Sequence, residues 1–413
     1  MKKGFLSAAL AGALVFGLVG CQGGGQNSAK DQNTLNFWVP AFAADSKDIT
    51  DEEFWKEVLK KFEEENQCTV NVQAIPWDSY EEKYLTGTTS NDGPDIGYMY
   101  MEMFYDYIEM GALKDIDAYF TQEEKDNYLY YDLGNILGGQ YALPFVVGNP
   151  RILVANMDIL KEAGVEKVPT TWEELEETGK KIKEARPDVM PLVMNWGSGN
   201  YGGMNETFWP YFWSAGGEIV DSQGNLTIDS QAGKTAADFI YKLKQEGIVP
   251  ASANSIEKSE DPLQNGEAAM GIIASGKALK IDNINWDYVP VLQGPKSANT
   301  FIAADCLVMF EKCKNKELGA RLLKYVTSKE IMEDFHKRIS PQPPITKDEI
   351  YSGDPRFAQL FENNENFRTL PVFKGASAMY DTLFKNMQSA IAGEMTPEEA
   401  LQKTTEYYNS NLK

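Results

Sequence analysis

Asn205-Glu-Thr-Phe-Trp-Pro-Tyr-Phe-Trp213 places five aromatic rings directly after a carboxamide and a carboxylate. An indole face suits the C–H face of a sugar ring, and Asn and Glu side chains can bind its hydroxyls. Written on a helix, Phe208 and Phe212 share one face, and Trp209 and Trp213 share another. Rings at helical spacing also pack inward as ordinary core, and the stretch alone leaves both readings open. Trp209 and Trp213 are therefore candidate stacking platforms, with Glu206 beside them for hydroxyls. Trp196 and Trp286 are further candidate platforms, and Glu102 is a candidate hydroxyl acceptor. Asp95, in Gly93-Pro-Asp95, reads first as a turn residue.

The rest of the composition removes other chemistries. The one histidine, His336, falls on a charged helical stretch from Lys329 to Arg338, where a surface position is expected. Histidine triads and multi-histidine metal sites are thereby excluded. Acidic residues number 61 against 39 basic ones, for a net charge of −22. Such a field repels nucleic-acid phosphates and anionic lipid and is compatible with a neutral ligand. No cofactor, metal site or catalytic residue is expected. The enzymatic alternative, a secreted glycoside hydrolase, needs two carboxylates across a scissile bond, and no pair is singled out.

A chain of 413 residues exceeds what one core usually serves, so two lobes are expected. Thr34–Val39 reads as a first strand, Asp51–Gln67 as an amphipathic helix, Cys68–Ile75 as a strand and Ser79–Leu85 as a helix. A strand ending near Tyr100 follows Gly93-Pro94. This alternation predicts an α/β fold of open sheets flanked by helices, with ligands at the carboxyl ends of strands, where Trp38, Tyr100 and Glu102 fall. Ile152–Asn156 and Val189–Trp196 read as strands, Gly216-Gly217 as a helix stop before a strand at Glu218-Ile-Val220. Tyr288–Leu292 and Phe301–Phe310 are strand-like, Leu318–Lys337 is helical, and Pro341-Gln-Pro-Pro344 forces an extended break. Two helices, about 377–392 and 397–409, close the chain.

Residues 1–20 read as a secretory signal: Lys2 and Lys3, then an apolar run from Phe5 to Val19. Residues 21–32, beginning Cys21-Gln-Gly-Gly-Gly, read as a polar tether with nothing to pack. The run Leu18-Val-Gly-Cys21 resembles the lipobox of bacterial lipoproteins, which implies cleavage before Cys21 and a diacylglycerol on its sulfur. The expected location is the outer face of the cell membrane, held by lipid alone. Cys68, Cys306 and Cys313 remain, an odd number that excludes a full disulfide framework. Cys68 and Cys306 lie in apolar runs and are expected as buried thiols.

Beyond the amino terminus the chain resembles the family 1 extracellular solute-binding proteins, the maltose-binding-like receptors of bacterial ABC importers. The resemblance runs from about residue 33 to 411. It rests on Thr34-Leu-Asn-Phe-Trp38, Ile75-Pro-Trp-Asp-Ser-Tyr80, Gly93-Pro-Asp-Ile96 and Tyr141-Ala-Leu-Pro144. It continues with Val154-Ala-Asn-Met-Asp-Ile-Leu-Lys-Glu-Ala-Gly164, Pro169-Thr-Thr-Trp-Glu-Glu174, Trp209-Pro210 with Gly216-Gly217, and Gly266-Glu-Ala-Ala-Met270. Each motif is weak alone; in this order they are specific.

The resemblance implies a two-lobed periplasmic-binding-protein-like fold, with the solute held between lobes that close by hinge bending. The crossings should lie near Val146–Arg151, Ser297–Ala303 and Pro341–Ile345. The lobes would then be residues 33–147 plus 303–343 and residues 148–302 plus 344–413. It also implies that the loop after Trp38 and the loop holding Glu102 face the cleft. Asn149 falls where the maltose branch places a carboxylate, Asn205–Trp209 where it presents a stacking ring, and Tyr380 at another stacking position. Ser275-Gly276-Lys277 stands where a tryptophan is usual, and Val39–Ala44 is apolar where the maltose branch is polar, which argues against maltose itself. The implied function is capture of an oligosaccharide by a monomeric, lipid-anchored receptor that delivers it to ABC permease subunits. The same fold binding a peptide, polyamine or metal chelate is the alternative, because fold does not name the solute.

Overall fold

The computed structural model describes residues 33–44, 48–90, 92–351, 355–358, 360 and 366–413. The expected signal segment, Cys21 and the tether lie outside the described residues.

The first strand, β1 (Thr34–Pro40), buries Leu35, Phe37 and Val39. It runs parallel to β2 (Thr69–Ile75), from Thr34 opposite Thr69 to Pro40 opposite Ile75. Between them Thr50 caps a helix over Asp51–Val58 in a reciprocal capping box with Glu53. Phe54 and Trp55 on that helix are wholly buried. The helical stretch is expected to run on to Gln67, but it breaks at Leu59 and resumes over Lys60–Asn66. Strand β3 (Ile96–Met99) pairs parallel with β1. Buried Asp95 acts as the turn residue it resembles, its carboxylate accepting the Asn36 amide at 2.8 Å.

Strands β4 (Ala142–Gly148) and β5 (Arg151–Asn156) are separated only by Asn149 and Pro150, yet they belong to different sheets. The second sheet adds β6 (Met190–Val193), β7 (Ala268–Ala274) and β8 (Trp286–Val289). Strand β9 (Ala303–Met309) returns to the first sheet, antiparallel to both β3 and β4. The strand orders are β2-β1-β3-β9-β4 and β8-β5-β7-β6. Each sheet is mixed and flanked by helices, so the chain builds two α/β lobes. Among the described residues no helix is long and apolar enough to cross a membrane.

Three local expectations need correction. Glu218–Val220 is not a strand; it makes one isolated bridge, Val220 to Leu226, because Asp221 accepts the Gln223 and Asn225 amides and folds the chain into a tight turn. The helix expected over Leu318–Lys337 is two, Lys316–Val326 and Lys329–Arg338. At the break the Thr327 hydroxyl donates to the Leu323 carbonyl at 2.8 Å, a side-chain bond that competes with the helical ladder. Cys306 and Cys313 are buried free thiols, whereas Cys68, also free, is only half-buried at the mouth of β2.

His336 is not at the surface: it is 8% exposed. It follows Met332 by four residues and so shares that inward helical face. Its Nδ1 faces a Glu349 carboxylate oxygen at 3.5 Å. Burial holds the imidazole neutral and lowers its pKa to about 4. The unfolded chain protonates near 6.5, so between those values the unfolded state binds more protons and acid favours unfolding. Stability should therefore be fully present above about pH 6.5 and lost toward pH 4. Urea midpoints across that window should fall more steeply for the wild type than for His336→Gln. Parallel slopes would show that the ring titrates alike in both states.

Candidate ligand-binding cleft

The short chain crossing between β4 and β5 places the first functional groups. Asn149 takes a left-handed conformation, φ 53°, and its side-chain oxygen accepts the Gly276 amide at 3.0 Å. Arg151 then opens β5 with its guanidinium buried. One Nη donates to the Asn149 carbonyl at 2.8 Å, and the guanidinium carbon lies 4.8 Å from the centre of the Phe301 ring. Its Nε stands 3.8 Å from a Glu206 oxygen, too far for a hydrogen bond. Glu206 sits on the helical turn Met204–Thr207, itself buried, with Lys277 and Glu260 paired behind it. Burial raises the Glu206 carboxyl pKa, against the pull of Lys277 and then Arg151.

From the other lobe β9 contributes Asp305, which accepts the Tyr98 hydroxyl. Burial pushes this carboxyl up to about 7, partly offset by that bond and by Arg151. Glu102 lies on the turn Met101–Met103 just past β3 and is 7% exposed. Burial, and next the Asp305 charge, raise its pKa well above the carboxylate range. Glu81, on the helix Tyr80–Ser90, accepts the Tyr100 hydroxyl at 2.5 Å, and the Tyr201 hydroxyl donates to the Ser377 hydroxyl oxygen at 3.4 Å. More bonds tie distant segments together here: Asn200 to the Trp77 carbonyl at 3.2 Å, Ser377 to the Glu102 carbonyl at 3.3 Å, and the Gly375 amide to Asp106 at 3.3 Å. At Asn200 and Trp77 the two lobes are in direct contact.

Against this polar floor stands the aromatic stretch. The helix Trp209–Ser214 starts with Pro210 in its first turn. Phe208 stacks on Phe212 at 5.7 Å and Trp209 lies 5.8 Å from Trp213, the two faces expected from the spacing. Trp209 also meets Tyr380 edge-to-face at 5.5 Å, and Tyr201 lies 5.7 Å from Tyr380. Several buried polar atoms here have no hydrogen-bond partner among the described residues: Arg151 Nε, Asn205 Oδ1, Glu206 Oε2, Trp209 Nε1 and the Tyr380 hydroxyl. An unsatisfied buried polar atom costs about 1–3 kcal/mol, so each of these groups would gain from a polar partner.

The sequence candidates divide. Glu102, Asn149 and Glu206 come together around Arg151, while Tyr380 neighbours Glu102 and carries Trp209 with it. Trp213 packs behind Trp209, and its carbonyl accepts the Ser297 hydroxyl at 3.0 Å. Trp196 is buried and stacked 6.1 Å from Phe384, its own indole N–H unpartnered. Trp38 packs within the first lobe, 5.4 Å from Tyr84. Trp286 lies in a separate cluster, stacked on Phe357 at 6.4 Å with its N–H donated to the Ile281 carbonyl. Sequence reasoning missed Arg151, Asp305, Glu81, Tyr98, Tyr201 and Ser377. A lone carboxylate inside the apolar run Ala303–Phe310 and a lone arginine opening β5 were the available signals. Among the described residues no group of His, Cys, Asp or Glu could hold a metal ion.

Residues 46–333 match the sequence model of a family described as bacterial extracellular solute-binding protein. A binding protein of Brucella abortus is 25% identical over 377 residues, covering 87% of this chain and 90% of the relative. A carbohydrate ABC transporter substrate-binding protein of Streptococcus pneumoniae is 23% identical over 406 residues, covering 92% and 77%. Among solved structures, an ABC substrate-binding protein of Listeria monocytogenes in complex with cycloalternan superposes with a TM-score of 0.79 at 21% identity, covering 92% of this chain and 99% of that one. The last likeness establishes the two-lobed periplasmic-binding-protein fold.

Proposed function

The chain belongs to the bacterial extracellular solute-binding proteins, and on that premise we propose that it captures an oligosaccharide between its lobes and delivers it to the permease of an ABC importer. One observation carries this reading. The Trp209–Tyr380 pair lies within a few residues of the buried, unpartnered oxygens of Asn205 and Glu206, and Glu206 faces Arg151, a mixture of ring faces and hydroxyl partners that suits a sugar. A saccharide would satisfy those groups, and the bonds made by Asn200, Gly375 and Ser377 would help to enclose it. The saccharide-binding names of relatives point the same way.

In this reading Glu102, Asn149, Glu206, Trp209 and Tyr380 line the solute, with Trp196 and Trp213 supporting them. Residues 33–147 with 303–343 form one lobe, and 148–302 with 344–413 form the other. Cys21 carries the lipid that keeps a monomeric receptor on the outer face of the membrane, and no catalytic step occurs. Thermal unfolding of the protein in a panel of oligosaccharides, with peptides and polyamines as controls, tests the proposal. A solute at 100 times its Kd should add about 2.7 kcal/mol of stability, a clear rise in Tm. A rise with peptide alone, and with no saccharide, would overturn the sugar reading and leave the fold standing.

A further inference from the structure

All eight tryptophans are among the described residues, and Trp77 alone is exposed, at 39%. Single exposed apolar side chains are ordinary, so it is the position of this ring that matters. Trp77 opens the turn Trp77–Ser79, just past β2. Three rings from its own lobe fix it: Phe42 and Tyr98 edge-to-face at 5.6 and 5.9 Å, and Tyr80 tilted at 5.6 Å. Its backbone is held from the other lobe, where Asn200 follows β6. The Asn200 side-chain nitrogen donates to the Trp77 carbonyl at 3.2 Å, and its oxygen accepts the Gly202 amide at 2.8 Å. A Cβ on Gly199 would come within 2.6 Å of the Asp78 carboxylate, so the two turns lie in close contact. The indole is held rigidly and still exposed where the lobes touch.

From this contact a line of rings leads inward. Tyr201, next to Asn200, lies 5.7 Å from Tyr380, and Tyr380 meets Trp209 at 5.5 Å. Tyr380 and Trp209 are wholly buried, whereas Trp77 stands exposed at the outer end of the line. A ring already fixed in place loses little freedom when it is covered. Its face suits the C–H face of a sugar, and the exposed carboxylate of Asp78 beside it can accept a hydroxyl. Contact between the lobes at Asn200 leaves the indole open, so covering it takes a further body.

Resting on the oligosaccharide reading above, we infer that Trp77 is an outer subsite, a platform for a sugar unit that extends from the Trp209–Tyr380 pair to the rim of the cleft. Calorimetric titration with malto-, cello- and xylo-oligosaccharides, each from the disaccharide to the hexasaccharide, tests it. In a series that binds, affinity should rise at least about 10-fold from the disaccharide to the longer members. Trp77→Ala should remove that gain and leave the disaccharide within about 2-fold, and Trp77→Phe should keep most of it. Should Trp77→Ala not fold, oxidation by N-bromosuccinimide decides: a longer saccharide should protect the fast-reacting indole that Trp77→Phe lacks, and the disaccharide should not. Affinities unchanged by Trp77→Ala, or weakened equally at every length, overturn the subsite and keep the oligosaccharide reading. So does an indole that no saccharide protects. Binding of no series overturns both.

Discussion

Replacing Arg151 by methionine should lower stability at neutral pH by about 3–5 kcal/mol, the cost of removing one partner from a buried charge group. The side chain is enclosed where the chain passes between lobes, and its charge acts on Glu206 in one lobe and Asp305 in the other. Methionine restores much of the volume over Phe301, so the loss reports charge more than packing. The pH dependence identifies the mechanism. Asp305 already has its folded pKa raised from 3.8 to about 7, mainly by burial, and losing Arg151 raises it further. A group raised in this way gives stability that is fully present below its unfolded pKa and lost as pH rises through the folded value. The deficit of Arg151→Met should therefore be greatest above about pH 7 and shrink toward pH 4. Urea unfolding at both pH values measures it, and adding Asp305→Asn to Arg151→Met should recover part of the neutral-pH loss. A deficit that did not vary with pH would mean that Arg151 serves by packing alone.

What the sequence made legible was local or ordered along the chain. Phe208, Trp209, Phe212 and Trp213 pair as their spacing requires, because i, i+4 neighbours on a helix meet whatever the helix packs against. The alternation of β1, helix and β2 gave the α/β class for a similar reason: period and capping are properties of short windows. The site was only half visible. Glu102 could be suspected from its place after a strand, but its environment comes from Asp305, about two hundred residues away, and from Tyr380 on the helix Ala376–Ala392. Nothing in the window around Asp305 says that Tyr98 will meet it, since that contact follows from β9 returning antiparallel to β3. His336 failed differently. Its burial was readable from the Met332 spacing, and the surrounding charges Glu333, Asp334, Lys337 and Arg338 masked it.

Trp209→Ala should be the other severe substitution, costing about 3–5 kcal/mol for a large ring removed from a packed interior. Trp209 is 0% exposed and meets Phe208, Phe212, Trp213 and Tyr380 at centroid distances of 5.1, 5.7, 5.8 and 5.5 Å. Such a loss would occur whether the ring is core or platform, so stability alone does not separate the two roles. Trp209→Phe does. It keeps an aromatic ring against Tyr380 but removes the indole N–H, which has no partner in the protein. If that N–H meets the solute, Trp209→Phe should weaken solute binding by about 1–3 kcal/mol, because the sugar group it served is then buried unpaired. If the ring is only core, Trp209→Phe should lower stability and leave affinity unchanged. Calorimetric affinity and urea midpoint on the same two variants read the roles separately. The expected pattern is a stability loss larger for alanine than for phenylalanine, with an affinity loss in phenylalanine as well.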